Sequence, residues 1–319
     1  MKSRKVLVAG FAALLSLGAA AQAIDYPTKP IRLIVPFVAG GPVDVVAREL
    51  GRGLQAELSQ PVVVVNVGGG HGIPALNQVT AAPADGYTLY LPASGSVTVP
   101  EKAMEGRDVL KELAPITQLT QSPHVLVVSS QLPVKTVPEL ITYARANPGK
   151  VNFAGTGGIA QLAMEFFRSE AQIDIVHVPY KGTAQVLVDL ASGQVQGLFS
   201  SMPSMKPLID KQLIRALGMT APSKGEVTAR LPLISEQGLP RFSYTTWYGL
   251  FAKAGTPAAV IERLNKAVAK VVTSPELNQK FEAQGVEFVT GTPAALASLV
   301  RSDQQKWKKV VQDAGIKLD

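Results

Sequence analysis

The chain of 319 residues contains no cysteine, which removes disulfides, thiol chemistry and thiolate metal sites together. Histidine is nearly as scarce. His71, His124 and His177 lie far apart, with no spacing that makes a metal pair, and an isolated histidine is ordinarily structural. Beyond Leu17 no apolar run approaches the ~20 residues that span a bilayer. No run of five like charges occurs, so the basic stripe of a nucleic-acid binder is missing. There is no G-x-S-x-G elbow, no Walker-type loop and no nucleophile–base pair to anchor catalysis. The reading is therefore of a non-enzyme with no metal, no cofactor and no nucleic-acid partner.

The N-terminus has the form of an export leader. Lys2, Arg4 and Lys5 precede an apolar stretch over Val6–Leu17, and Ala21-Gln22-Ala23 is a small-x-small cleavage site. Cleavage after residue 23 sends a soluble protein to the periplasm. It also removes three of the 31 basic residues and none of the 24 acidic ones, lowering the formal charge from +7 to +4.

The most informative stretch is Ile31–Leu50, IRLIVPFVAGGPVDVVAREL. Its β-branched opening suits a strand buried on both faces. Ala39, Gly40, Gly41 and Pro42 turn the chain, Asp44 is a good N-cap, and Val46, Leu50, Leu54 and Leu58 follow at helical spacing. The loop lies at a strand's carboxyl end, where open α/β sheets bind ligands, and the helix start offers N–H groups to an anion. The same glycines also serve a plain βα turn.

Further β and α segments alternate as far as Leu91, predicting a parallel sheet. The alternation breaks at Ile116–Leu119 and His124–Ser129, two apolar runs with only Ser122-Pro123 between their ends and no helix. A second α/β series follows to Met219. The segment after Phe251 has too few strands for a domain and must pack on an earlier one. The expected architecture is a two-lobed periplasmic-binding-protein fold (a Venus flytrap), each lobe a mostly parallel sheet flanked by helices. Residues 1–23 form the leader, 24–124 plus 248–319 the first lobe and 125–247 the second, with a cleft between.

Loops at strand carboxyl ends from both lobes supply the candidate ligand site: Phe37, Val38, Ala39, Gly40, Gly41, Pro42, Val43 and Asp44; His71 and Ser94; Gly155, Thr156, Gly157 and Gly158; Tyr180, Thr183 and Ser200. Thr156 and Thr183 are the expected second-lobe hydroxyl donors, and Lys181 a solvated charge. Gly70-His71-Gly72-Ile73-Pro74-Ala75 fits a dinucleotide pattern, but the next strand end, Leu89–Ala93, lacks the acidic residue for the ribose. It is read as another backbone loop for an anion or polar ligand. These loops are poor in acid–base groups, so they bind rather than react.

Several motifs together resemble one family. They are Pro36-Phe37-x-Ala39-Gly40-Gly41-x-x-Asp44-x-x-Ala47-Arg48, Asp85-Gly86-Tyr87-Thr88-Leu89, His177-Val178-Pro179-Tyr180-Lys181-Gly182, Gly193-Gln194-Val195, Trp247-Tyr248-Gly249-Leu250-Phe251 and Gly255-Thr256-Pro257. The chain resembles the Bug proteins, extracytoplasmic solute receptors of tripartite tricarboxylate transporters. That resemblance implies a flytrap, monomeric here, pinching a small-molecule carboxylate by backbone N–H groups and handing it to integral-membrane transporter subunits. The alternative is a receptor that reports its ligand to a signalling partner.

Three departures narrow the ligand. Val43 stands where the family commonly has a hydroxyl, Val67–Gly72 lacks the usual arginine and adds His71, and the Gly155–Gln161 loop is shorter and less polar. The pincer implied by the resemblance is thus less polar here. It favours an acid with one anionic end and an apolar or aromatic body over a flexible acid such as citrate.

Overall fold

The computed structural model describes residues 25–98, 106–155, 158–180, 183–223, 228–282, 286–313 and 315; the leader over 1–23 lies outside them. The chain opens with β1 (Ile31–Val35), α1 (Pro42–Leu58), β2 (Val62–Asn66), α2 (Ile73–Ala81), β3 (Thr88–Tyr90) and two single turns, α3 (Gly95–Thr98) and α4 (Val109–Glu112). β4 (Leu113–Ser122) ends this series. β5 (Val125–Ser129), α5 (Val137–Ala146), β6 (Val151–Gly155), α6 (Gly158–Ala171), β7 (Ile175–Pro179), α7 (Thr183–Ala191), β8 (Gly197–Ser200), α8 (Met202–Asp210) and β9 (Ile214–Met219) form the second. The chain closes with β10 (Thr246–Lys253), α9 (Ala258–Val272), α10 (Pro275–Glu282), β11 (Glu287–Phe288) and α11 (Pro293–Asp313).

These strands make two sheets among the described residues, ordered β11-β4-β10-β3-β1-β2 and β7-β6-β8-β5-β9. The apolar runs that broke the alternation, β4 and β5, are adjacent in sequence but lie in different sheets. The expectation of mostly parallel sheets is corrected: β1 pairs parallel with β2 and β3, and β6 with β7 and β8, but β4, β5 and β10 bring only antiparallel pairs. Strands that enter from the other lobe are not joined by the βαβ crossovers that keep strands parallel.

Each sheet is covered on both faces. Leu33 and Val35 of β1 join Leu50 and Leu54 of α1 and Leu264 and Val268 of α9 in one cluster. Ile34 faces the other way, with Leu76, Val79 and Trp247. In β5 the alternation is explicit: Val125 and Val127 pack with Val186 and Met205, while Leu126 and Val128 pack with Phe153 and Phe167. Continuous apolar strands are what two-faced burial requires.

Two segments run between the sheets, at Pro123–His124 and just before Thr246, and Thr220 stitches them. The His124 N–H donates to Thr220 Oγ1 (2.9 Å), the Thr220 hydroxyl donates to the Tyr244 carbonyl (2.8 Å), and His124 Nδ1 lies 3.0 Å from the Tyr244 hydroxyl. Burial pushes the His124 imidazole down to about 4, so it is neutral at pH 7 and can exchange a hydrogen bond with Tyr244.

The last helix differs from the expectation that all of 248–319 belongs to the first lobe. Leu296 and Val300 of α11 pack with Trp247 and Phe251 on the first sheet, whereas Trp307 and Val310 lie in the second lobe's cluster with Phe166, Phe242 and Tyr244. Asp303, between them, accepts a hydrogen bond from Trp247 Nε1 at 2.7 Å. A single helix thus belongs to both cores.

Candidate functional site

Proline decides where α1 begins. Pro42 occupies the first turn with Gly41 as N-cap, so Asp44 is a residue inside the helix rather than the cap expected for it. From there its carboxylate reaches back. Oδ2 accepts the Gly40 N–H (2.8 Å) and Arg48 Nε (2.9 Å), and Oδ1 accepts Asn66 Nδ2 (3.0 Å), which also donates to the Phe37 carbonyl (3.1 Å). The network clamps both ends of the 37–40 turn to the end of β2. Gly40 takes φ +84°, a conformation that disfavours side chains.

The Arg48 hydrogen bond, with those from Gly40 and Asn66, outweighs burial and holds the Asp44 carboxyl below its usual range. Its stabilisation is therefore present above the ordinary carboxylate pKa of about 4 and is lost as pH falls through the lower, folded value. Asp44→Asn keeps the shape but puts donors against donors. We expect a loss on the order of 2 kcal/mol in urea unfolding at pH 7. An unchanged midpoint would mean that the network does not hold the turn.

The three first-lobe loops meet. A Cβ on Gly68 would lie 2.9 Å from Val38 Cγ1, and one on Gly72 would lie 3.2 Å from Pro36 Cβ and 3.6 Å from Ser96 Cβ. Phe37 is half-buried, and Val38 exposes 71% of its surface at the tip of the turn. Ala39, Gly40 and Pro42 are exposed and Gly41 half-exposed. Val43 turns its side chain into the core, leaving only its backbone for a ligand. His71 falls in the short 3₁₀ turn Gly70–Gly72 that leads into α2. Ser94, at the start of α3, is buried.

In the second lobe, Gly155 ends β6 and its carbonyl accepts the Tyr180 N–H at 2.8 Å, tying the turns after β6 and β7 together. The Tyr180 hydroxyl donates to Asp189 (2.6 Å), with burial and Asp189 pushing it up to about 12, so it serves α7. Thr156, Gly157 and Lys181 lie outside the described residues. Gly158 and Thr183 begin α6 and α7, and Ser200 ends β8 beside Val125. The lobes touch at one seam: a Cβ on Gly95 would lie 3.2 Å from Ile159 Cγ1 and 3.5 Å from its backbone nitrogen.

Charge in the described loops comes from the backbone. None of their residues is lysine or arginine, and the one cation beside them, Arg48, is matched by Asp44. α6, α7 and α8 carry no acidic residue in their first turns, so their positive ends stay uncompensated there. No group of three or more His, Asp or Glu among the described residues could hold a metal. Such a site suits a small anion and has little means of reacting with it.

The family profile described as "Tripartite tricarboxylate transporter family receptor" matches residues 46–316. The chain belongs to that family. This receptor is 33% identical to Protein BugT of Bordetella pertussis over 319 residues, covering 97% of this chain and 96% of that one. Its structure is similar to that of R. palustris Rpa4515 with adipate, at a TM-score of 0.80 and 32% identity, covering 92% of this chain and 99% of the other. It is also similar to that of MatC from Rhodopseudomonas palustris with bound malate, at 0.76 and 28%, covering 90% and 100%. The two-lobed architecture read from the sequence is that of these receptors.

Sequence reasoning missed three positioning residues: Asn66, Ile159 and His177. Parallel pairing sets Phe153 beside His177, and the His177 ring lies where a Cβ on Gly155 would be. A glycine at a strand end beside a histidine-bearing strand is the signal that could have found it.

Proposed function

We propose that this receptor captures a small organic acid with an apolar body between its lobes, outside the cytoplasm, and delivers it to the membrane subunits of a tripartite transporter. The carrying observation is the meeting of glycine-rich loops and helix starts at the Gly95–Ile159 seam, where the described residues offer N–H groups and hydroxyls but no unmatched cation. Related proteins with adipate and with malate support a carboxylate. Exposed Val38 supports an apolar body. The carboxylate sits against the start of α1, residues 123–124 and 244–246 act as the hinge, and residues 1–23 as the cleaved leader.

The test is a thermal-shift screen of the mature protein against aliphatic acids, aromatic acids, sugars and amines. A ligand at about 100 times its Kd adds ~2.7 kcal/mol of stability, a readily seen rise in midpoint. A rise with sugars or amines and none with any acid would sink the reading.

A further inference from the structure

Among the described residues two buried side-chain polar atoms have no hydrogen-bond partner: Ser94 Oγ and His177 Nε2. Both lie near the carboxyl ends of strands, one in each lobe. Ser94 is the more constrained. It is 1% exposed, and its backbone is fully committed. The N–H donates to the Trp247 carbonyl at 2.7 Å, and its carbonyl accepts from the Thr98 hydroxyl (2.8 Å) and the Thr98 and Val97 N–H groups (2.9 and 3.0 Å). The residue is fixed in place with only its hydroxyl unspent. An orphaned buried hydroxyl costs stability that alanine would not. Its presence therefore requires a partner that comes and goes.

The adjoining residue shows where that partner sits. Gly95 abuts Ile159, whose backbone nitrogen belongs to the first turn of α6. That helix has 14 residues and no acid in its first turn, so its free N–H groups and positive end face the seam beside Ser94. A cationic group is disfavoured there. A neutral hydroxyl would satisfy the serine and leave the helix end uncompensated. A carboxylate satisfies both.

We propose that Ser94 is a specificity-determining residue: with the first turn of α6 it holds a second carboxylate at the far end of the ligand, so that the receptor selects α,ω-dicarboxylates over monocarboxylates. The inference rests on the proposed function, which places the first carboxylate at the start of α1. It adds a polar end to what would otherwise be a purely apolar body. Val38 beside the first end and Ile159 beside the second suit the methylene chain between them.

The experiment is isothermal titration of the wild-type protein and Ser94→Ala with straight-chain diacids from succinate to suberate and with monoacids of equal carbon number. The wild type should bind its best diacid at least about tenfold more tightly than the matching monoacid. Ser94→Ala should lose about tenfold for that diacid and stay within about twofold for the monoacid. Its ligand-free melting point should be unchanged or raised, because the variant deletes an orphaned group.

Equal wild-type affinity for diacid and monoacid overturns the inference while leaving the carboxylate reading intact. So does a Ser94→Ala protein that binds the diacid as the wild type does. A lowered ligand-free melting point with equal losses for both acids would assign the hydroxyl to the fold, and also overturns it. If the wild type binds no straight-chain acid and the wider screen finds only sugars or amines, the proposed function falls as well.

Discussion

Gly41→Leu should weaken carboxylate binding at least about 100-fold, about 2.7 kcal/mol, and leave the fold in place. The backbone at Gly41 (φ −77°, ψ 168°) is ordinary for any residue, and a Cβ there would meet only the Val38 carbonyl oxygen, at 3.6 Å. The side chain is thus tolerated by the protein and intrudes on the ligand's space at the start of α1. Gly40 makes a poorer test, because its positive φ would add strain of its own. Titration calorimetry reads the affinity, and a melting curve checks the fold. Unchanged affinity would move the carboxylate away from this turn.

Trp307→Ala should cost about 3–5 kcal/mol in denaturant unfolding, the range for deleting a large buried aromatic. Trp307 is 1% exposed, edge-on to Phe166 and Tyr244 at centroid distances of 6.3 and 5.6 Å. Its loss would detach the distal half of α11 from the second lobe and remove support from Tyr244, the partner of His124 between the sheets. A cost below about 1 kcal/mol would show that the second lobe does not depend on this helix.

What was legible in the sequence was local. The unit of β1, its turn and α1 could be read because its apolar spacing, its glycines and its proline all point the same way. The strands of the second series could be placed within a few residues for the same reason. Strand polarity could not be read: β4, β5 and β10 look like any apolar run, and their antiparallel pairing follows from crossings between lobes that no window of sequence contains. Asp44 was found but misplaced by two residues, because Pro42 fixes the helix start and lets the carboxylate cap from inside. Leu296, Leu299, Val300, Trp307 and Val310 were recognised as one apolar face. Nothing in that spacing says that its two halves meet different cores.

For the site, the loops were legible and their commitments were not. Tyr180 is an attractive ligand contact until Asp189 is seen to hold its hydroxyl. The hydroxyl of Ser94 becomes telling only when every neighbour has been checked and none bonds to it. Such facts depend on contacts distant in the chain, which a single sequence does not display.

The place of α11 has a consequence for how the chain folds. The first sheet needs β10 and β11, which follow the whole second series, and the second lobe's core needs Trp307 and Val310 from the last turns of the final helix. Neither core can close while the C-terminal residues are still missing, whatever the order in which the rest has been made. Contacts between segments so distant in sequence slow collapse to the native state. The emerging polypeptide therefore stays loosely structured until its end arrives, and the two lobes reach stability together rather than in turn.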